Sequence, residues 1–431
     1  MKTVSDMSLR LLRAPRGSRP SRPPSCDPSD AFRPGTSGAA FRSAPYFRMM
    51  PTTTTAPAPP PTTASDAASA EVSRPSARDP WFDNAKFALV ALVVVGHSLV
   101  LTPGTTAHGW VYTFLYSWHV PAFVLVTGYL SRSFAYTPKR LWTLVCTVAV
   151  PYVVFSELLV LFRNTVGHEG LSTSLLDPKW PMWYLTALFA WRLVTPLFKA
   201  MPLLVAVGVA VAVSLVGGIV APHTFDLARA AGLLPFFVVG LKLRREHLAL
   251  LHRSSVRFAG LFALAVIFVA APSVRLVSTE YLYYRSTYAE IGDPVVAGLL
   301  IRLGVIALGL VGAFAFLSLV PASRTWMTRL GAASLVVYLF HGFVIKAWTY
   351  LGVPDWADAH PGVSLLLMPV AAVGLATLLA QPVLAVRLNA LVDPVGWLKQ
   401  RLWPSMPEEP LAQSPIRPVP VQQVPTSGLL R

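Results

Sequence analysis

Charged side chains are scarce in this chain, making up 13% of its 431 residues, about half the share of an average soluble domain. A soluble fold, whose surface must be solvated, is disfavoured on that ground. Cysteine is nearly absent too. The two present, Cys26 in a polar N-terminal segment and Cys146 in an apolar run, suggest neither a disulfide framework nor a Cys-based metal site. The apolar stretches also lack the period-two alternation of transmembrane barrel strands, which leaves helices as the spanning element. No apolar run precedes Ala85, so no conventional cleavable signal peptide is expected and the first helix is read as a signal anchor.

Hydrophobic residues are abundant, at 54%. Apolar runs near the roughly 20 residues that cross a bilayer recur from Ala85 to Leu388. The reading is an all-α integral membrane protein of about ten spans: Ala85–Leu101, Trp110–Leu130, Leu141–Phe162, Met182–Phe198, Leu203–Val220, Ala228–Leu243, Val256–Ala271, Val295–Val320, Gly331–Leu351 and Val363–Leu388. The formal net charge of +16 is explained by topology rather than by nucleic acid. Arg132, Lys139, Arg140, Lys199, Lys242, Arg244, Arg245, Arg253, Arg324, Arg329, Lys399 and Arg401 fall in every second loop, which is therefore cytoplasmic, and both termini with it. Residues 1–80 form a basic Pro/Ser/Thr-rich segment too polar to build a core, with Met49 and Met50 as alternative starts. Residues 81–390 form the membrane domain, and 391–431 a short Pro-rich cytoplasmic tail with no second catalytic domain. A multi-pass protein of the plasma membrane is expected.

Ionisable groups inside a span cost about 2.5–3.5 kcal/mol on translocon scales, which makes each a functional candidate. At about 1.5 Å per residue, His97 lies roughly 18 Å and His341 roughly 15 Å from the inner ends of their spans, and His119 some 16 Å, all near the midplane. Each histidine either hydrogen-bonds a neighbouring helix or shares one polar cavity with the others. Zinc is the weaker alternative, since no HExxH spacing accompanies them. Lys86 precedes His97 by eleven residues, returning to within roughly 20° of the same helical face. It is either a snorkelling anchor or, with Asp83 one turn earlier, part of a cytosolic route to His97. Arg192 falls near the histidine layer, and Glu157 is a conceivable partner. Trp180, Trp183 and Tyr184 are either an interfacial belt or a platform for sugar rings. Cys146 lies away from the histidine layer.

The stretch FDNAKFALVALVVVGH, ending at His97, resembles the first helix of the membrane acyltransferase type 3 family, especially its fucose 4-O-acetylase branch. Lys86 and His97 match that family's basic residue and histidine with ten residues between them. WHVPAFVLVTGYL, MWYLTALFAWRLVTP and ASLVVYLFHGFVIK follow in order, and the likeness covers roughly residues 80–390. Thr127 stands where the family has serine, and the RxxxR pattern of some branches is absent. The resemblance implies transfer of an acyl group, usually acetyl, from acyl-CoA as co-substrate to a sugar hydroxyl, with no bound cofactor. His97 would then be a general base, Lys86 its catalytic companion, or His97 an acyl relay. His119, His341, Arg192, Trp183 and Tyr184 would contact the acceptor, Asp83 would support Lys86, and Arg132, Lys139 and Arg140 would hold CoA phosphates or merely orient the loop. The rival class is a transporter or glycolipid flippase, for which the internal repeats are missing.

Loop charge alone generates a test: reporters fused after Arg140, Arg253 and Lys399 should read cytoplasmic, and those at Gly104 and Asp355 exterior. A single inverted reporter would mean a span was missed or invented.

Overall fold

The computed structural model of the protein describes residues 79–220, 224–274 and 277–402. The expected N-terminal tail up to residue 78, with Cys26, and the segment from residue 403 onward lie outside them. The described residues contain helices and no strand. Helix α1 (Pro80–Leu99) starts where its sequence directs. Asp79 accepts from the Trp81 N–H at 3.0 Å, and Pro80 takes the first helical position, where no N–H is needed. There follow α2 (Thr106–Tyr116), α3 (His119–Leu130), α4 (Pro138–Thr165), α5 (Trp183–Ala200), α6 (Leu203–Gly217), α7 (Leu227–Lys242), α8 (Ser254–Val274), α9 (Val295–Leu319), α10 (Ser334–Tyr350) and α11 (Pro361–Leu379).

Among the described residues seven helical stretches are long and apolar enough to cross a membrane: α1, α4, α8, α9, α11, and the stretches Thr224–Lys242 and Trp326–Tyr350 that contain α7 and α10. The chain is a polytopic α-helical membrane protein. By this measure the spans number seven, where the sequence reading places about ten. Every expected span nevertheless coincides with helix, and the differences have local causes. The run Trp110–Leu130 is two helices, because Pro121 has no N–H for the Ser117 carbonyl and its ring collides with it. Trp118 accordingly leaves helical geometry at φ −141°. Pro382 divides Val363–Leu388 in the same way, and α6 has only 15 residues. The chain turns at Val100 and Leu101, just before Pro103 and Gly104, so α1 stops at Leu99, two residues before the expected end of its span, and His97 sits in its last turn. The first residues of the expected C-terminal tail, Pro394–Leu402, are also helical.

The bundle is centred on α1, packed against α3, α10 and α11, and on α7, packed against α3, α5 and α6. Helices of a membrane protein gain little from burying apolar surface against one another, so close backbone approach matters most. It is closest between α3 and α7. A methyl at Gly128 would lie 2.0 Å from the Phe237 carbonyl oxygen, and one at Gly240 would lie 1.9 Å from that of Leu125.

The basic loops meet at one end of the bundle. Arg132 donates to the Leu243 carbonyl, Lys242 to those of Lys199 and Met201, and the Trp81 ring lies 5.9 Å from His252. Asn84, fully buried, donates to the carbonyls of Pro321 and Ser323 and accepts from Thr325 and Thr328.

Gly128→Ala and Gly240→Ala are expected to lower stability by about 1–3 kcal/mol each. Gly208→Ala, where a methyl meets nothing within 4 Å, should be neutral. Thermal unfolding in detergent would read the contrast, and equal midpoints for all three variants would refute it.

Candidate active site

At the end opposite the basic loops, the C-terminus of α1 meets the first turns of α3, α5 and α7. Two cavities adjoin there, with volumes of about 310 and 430 Å³ and a common wall of His97, Val100 and Trp180. The smaller is ringed by His119, Trp183, Tyr184, Arg229 and several tyrosines.

His97 is the junction. Its Nδ1 lies 2.8 Å from His341 Nε2, and the two rings are nearly parallel, with centroids 5.0 Å apart. His341, on α10 and fully buried, places its own Nδ1 at 2.6 Å from the Tyr338 carbonyl and 3.1 Å from that of Val337. Carbonyl oxygens only accept, so His341 Nδ1 carries the proton and its Nε2 is a lone pair. That lone pair takes the Nδ1–H of His97, leaving the His97 Nε2 lone pair free for chemistry. His119 is fixed by the same logic. Its Nδ1–H donates to the Leu115 carbonyl at 2.8 Å across the break that Pro121 creates, and the ring packs 4.8 Å from Tyr116. The three histidines thus converge: His97 and His119 line one cavity, and His341 stands behind His97.

Aromatic rings form the walls. Trp180 lies 4.5 Å from the His97 ring, centroid to centroid. Tyr184 donates to the Thr127 hydroxyl, whose own proton goes to the Phe123 carbonyl at 2.9 Å. Threonine in place of serine therefore keeps the hydroxyl and anchors a wall residue.

Opposite the histidines stands Arg229, in the first turn of α7. It is held by Asp226 at 3.3 Å, by the Tyr283 carbonyl at 3.1 Å and by the Trp183 face at 4.6 Å. Glu280, Tyr283 and Arg285 enter from the connection between α8 and α9. That connection is tethered from beneath by Arg302, a fully buried residue of α9 whose guanidinium donates to the carbonyls of Ser214 and Ser286 at 3.2 and 3.3 Å.

Other candidates lie apart. Lys86 pairs with Asp83 at 2.7 Å near the basic end, lining neither cavity, eleven residues and about 16 Å of helix from His97. The Arg132 guanidinium covers the Tyr129 ring at 4.0 Å, and that ring stacks on Phe82, which puts Arg132 at the Lys86 end. Lys139 is exposed and Arg140 half-buried in the following helical turn. Arg192 is half-buried on α5, two turns beyond Tyr184, and Cys146 is buried in a π-helical turn of α4; neither lines a cavity. Arg229, Glu280 and Arg285 are site residues that sequence reasoning passes over because they sit outside or at the edge of apolar runs. Arg302 and Lys346 lie inside such runs, and the rule that singles out the histidines reaches them equally.

A hydrogen-bonded histidine pair at the wall of an aromatic cavity, in a polytopic helical bundle, defines a candidate group-transfer site. The profile of a family described as an acyltransferase domain matches residues 79–384. The chain belongs to this membrane acyltransferase type 3 family, which decides for an acyltransferase over a transporter. No curated protein and no solved structure matches the chain.

Beside the second cavity Glu169 accepts from the Nε of Arg163 at 3.1 Å and also from its Nη2, from Lys346 at 3.1 Å and from the Tyr350 hydroxyl. The Arg163 guanidinium, chiefly, pulls the Glu169 carboxyl down to about 2 from the ordinary 4.5. A depressed carboxylate stabilises fully above its unfolded value and loses that contribution as pH falls through the folded one. The gap in thermal midpoint between the wild type and Glu169→Gln should therefore stay level from about pH 7 to 5 and close as pH falls further. A gap that closed above about pH 6 would contradict the pairing.

Proposed function

We propose that the protein moves an acyl group, in the first instance acetyl, from acyl-CoA to a hydroxyl of a sugar or glycoconjugate at the plasma membrane, with His97 as general base. The observation that carries this reading is the relay from the Tyr338 carbonyl through His341 to His97, which leaves one basic nitrogen at the wall of an aromatic cavity. A hydroxyl is a weak nucleophile near neutrality. As its oxygen attacks the thioester carbonyl, His97 Nε2 takes the proton, and the Nδ1–H bond to His341 becomes charge-assisted. Collapse of the tetrahedral intermediate breaks the C–S bond, and His97 returns the proton to the departing sulfur, so the base is regenerated and CoA leaves as a thiol. The aromatic walls formed by Trp180, Trp183 and Tyr184 offer flat apolar faces to the C–H side of a sugar, while His119 Nε2 offers an acceptor to a second hydroxyl.

The donor's phosphates are assigned to the basic end, where Arg132 joins the Asp83–Lys86 pair through Tyr129 and Phe82, and where Lys139 and Arg140 follow in the next turn. That end is cytoplasmic by loop charge.

His97→Ala should lower acyl transfer about 100- to 10,000-fold without preventing insertion. His341→Ala, which removes the orienting acceptor but not the base, should cost less. Purified protein in nanodiscs, radiolabelled acetyl-CoA and an alkyl glycoside would measure both. Wild-type turnover by His97→Ala would end the general-base assignment.

A further inference from the structure

The second cavity is not consumed by the mechanism above. It shares His97 and Trp180 with the first, so a molecule reaching across their common wall would occupy both. Its character differs. Two cations, Arg163 and Lys346, stand on its wall against one carboxylate, Glu169, which leaves one excess positive charge. The remaining Lys346 N–H groups and Arg163 Nη1 have no recorded acceptor among the described residues. Below them the wall is apolar: Leu101 and Ile345 of the lining belong, with Met368, to a small buried cluster separate from the main core.

We propose that this second cavity seats the anionic group of the acceptor, a phosphate or a carboxylate attached to the sugar and flanked by an apolar segment. The substrate class is then an acidic glycoconjugate, its hydroxyl at His97 in the first cavity and its charge at Lys346 and Arg163 in the second. This rests on the reading of His97 as the base. A partly buried cation pair suits the assignment, since charge-assisted hydrogen bonds gain strength where water is limited. The Glu169 carboxylate keeps both cations in place and leaves part of their charge uncompensated.

Binding tests the site without turnover. Wild-type protein in nanodiscs should bind octyl phosphate or octanoate about tenfold more tightly than octyl glucoside, and only the anionic probes should weaken as salt rises. The tighter of the two anions identifies phosphate or carboxylate as the recognised group. Lys346→Gln should raise the Kd of that probe about tenfold, and Lys346→Arg should restore it. In turnover, the ratio of kcat/KM for matched anionic and neutral glycosides should fall toward one in Lys346→Gln. Equal binding of charged and neutral probes by the wild type, or an unchanged Kd in a folded Lys346→Gln protein, would overturn the proposal. Failure of the base would look different: His97→Ala would turn over at the wild-type rate while the probe affinities still obeyed Lys346.

Discussion

The backbone contact of α3 with α7 governs the site. Gly128 lies against the Phe237 carbonyl and Gly240 against that of Leu125, each glycine making room for the other helix's main chain. Nothing in a bilayer pushes two apolar helices together as water does, so this reciprocal fit is what sets their spacing. The consequences run toward the cavity. α3 carries His119 and the Thr127 hydroxyl that holds Tyr184, and α7 carries Arg229 in its first turn. Widening the contact by one methyl would part the histidine wall from the arginine wall.

The two ends of the bundle use charge differently. At the basic end Arg132 and Lys242 donate to backbone carbonyls, and Lys86 pairs with Asp83. At the cavity end the cations are tied to carboxylates: Arg163 and Lys346 to Glu169, Lys179 to Asp177, and Arg229 and Arg285 to Asp226. A cation held by a carboxylate keeps a fixed position, which suits the wall of a site.

Much of this was legible in the sequence, and for identifiable reasons. Composition and run length point to the helical membrane class, and loop charge places Arg132, Lys199, Lys242 and Arg324 in loops that do meet at one end. Histidine is costly in an apolar run, and that cost singles out three residues that converge in space. Run length reads the helix ends less closely: α1 stops at Leu99, two residues short of the expected end of its span, and His97 falls in its last turn. The Lys86–His97 stripe shows how a shared helical face fixes direction and not proximity. Arg229 and Arg285 were illegible because their roles depend on Asp226 and Trp183, contacts made only when distant segments fold together.

The break between α2 and α3 makes reading frame, in a geometric sense, part of the site. The imidazole of His119 is aimed by its distance from Pro121 along the chain, since the proline decides where the new helix begins. Adding or removing one residue between them would turn the ring by about 100° around the helix axis. The length of this stretch is therefore as much a part of the cavity wall as its side chains, and a single-residue indel here would carry the His119 ring off that wall while leaving every residue type in the sequence.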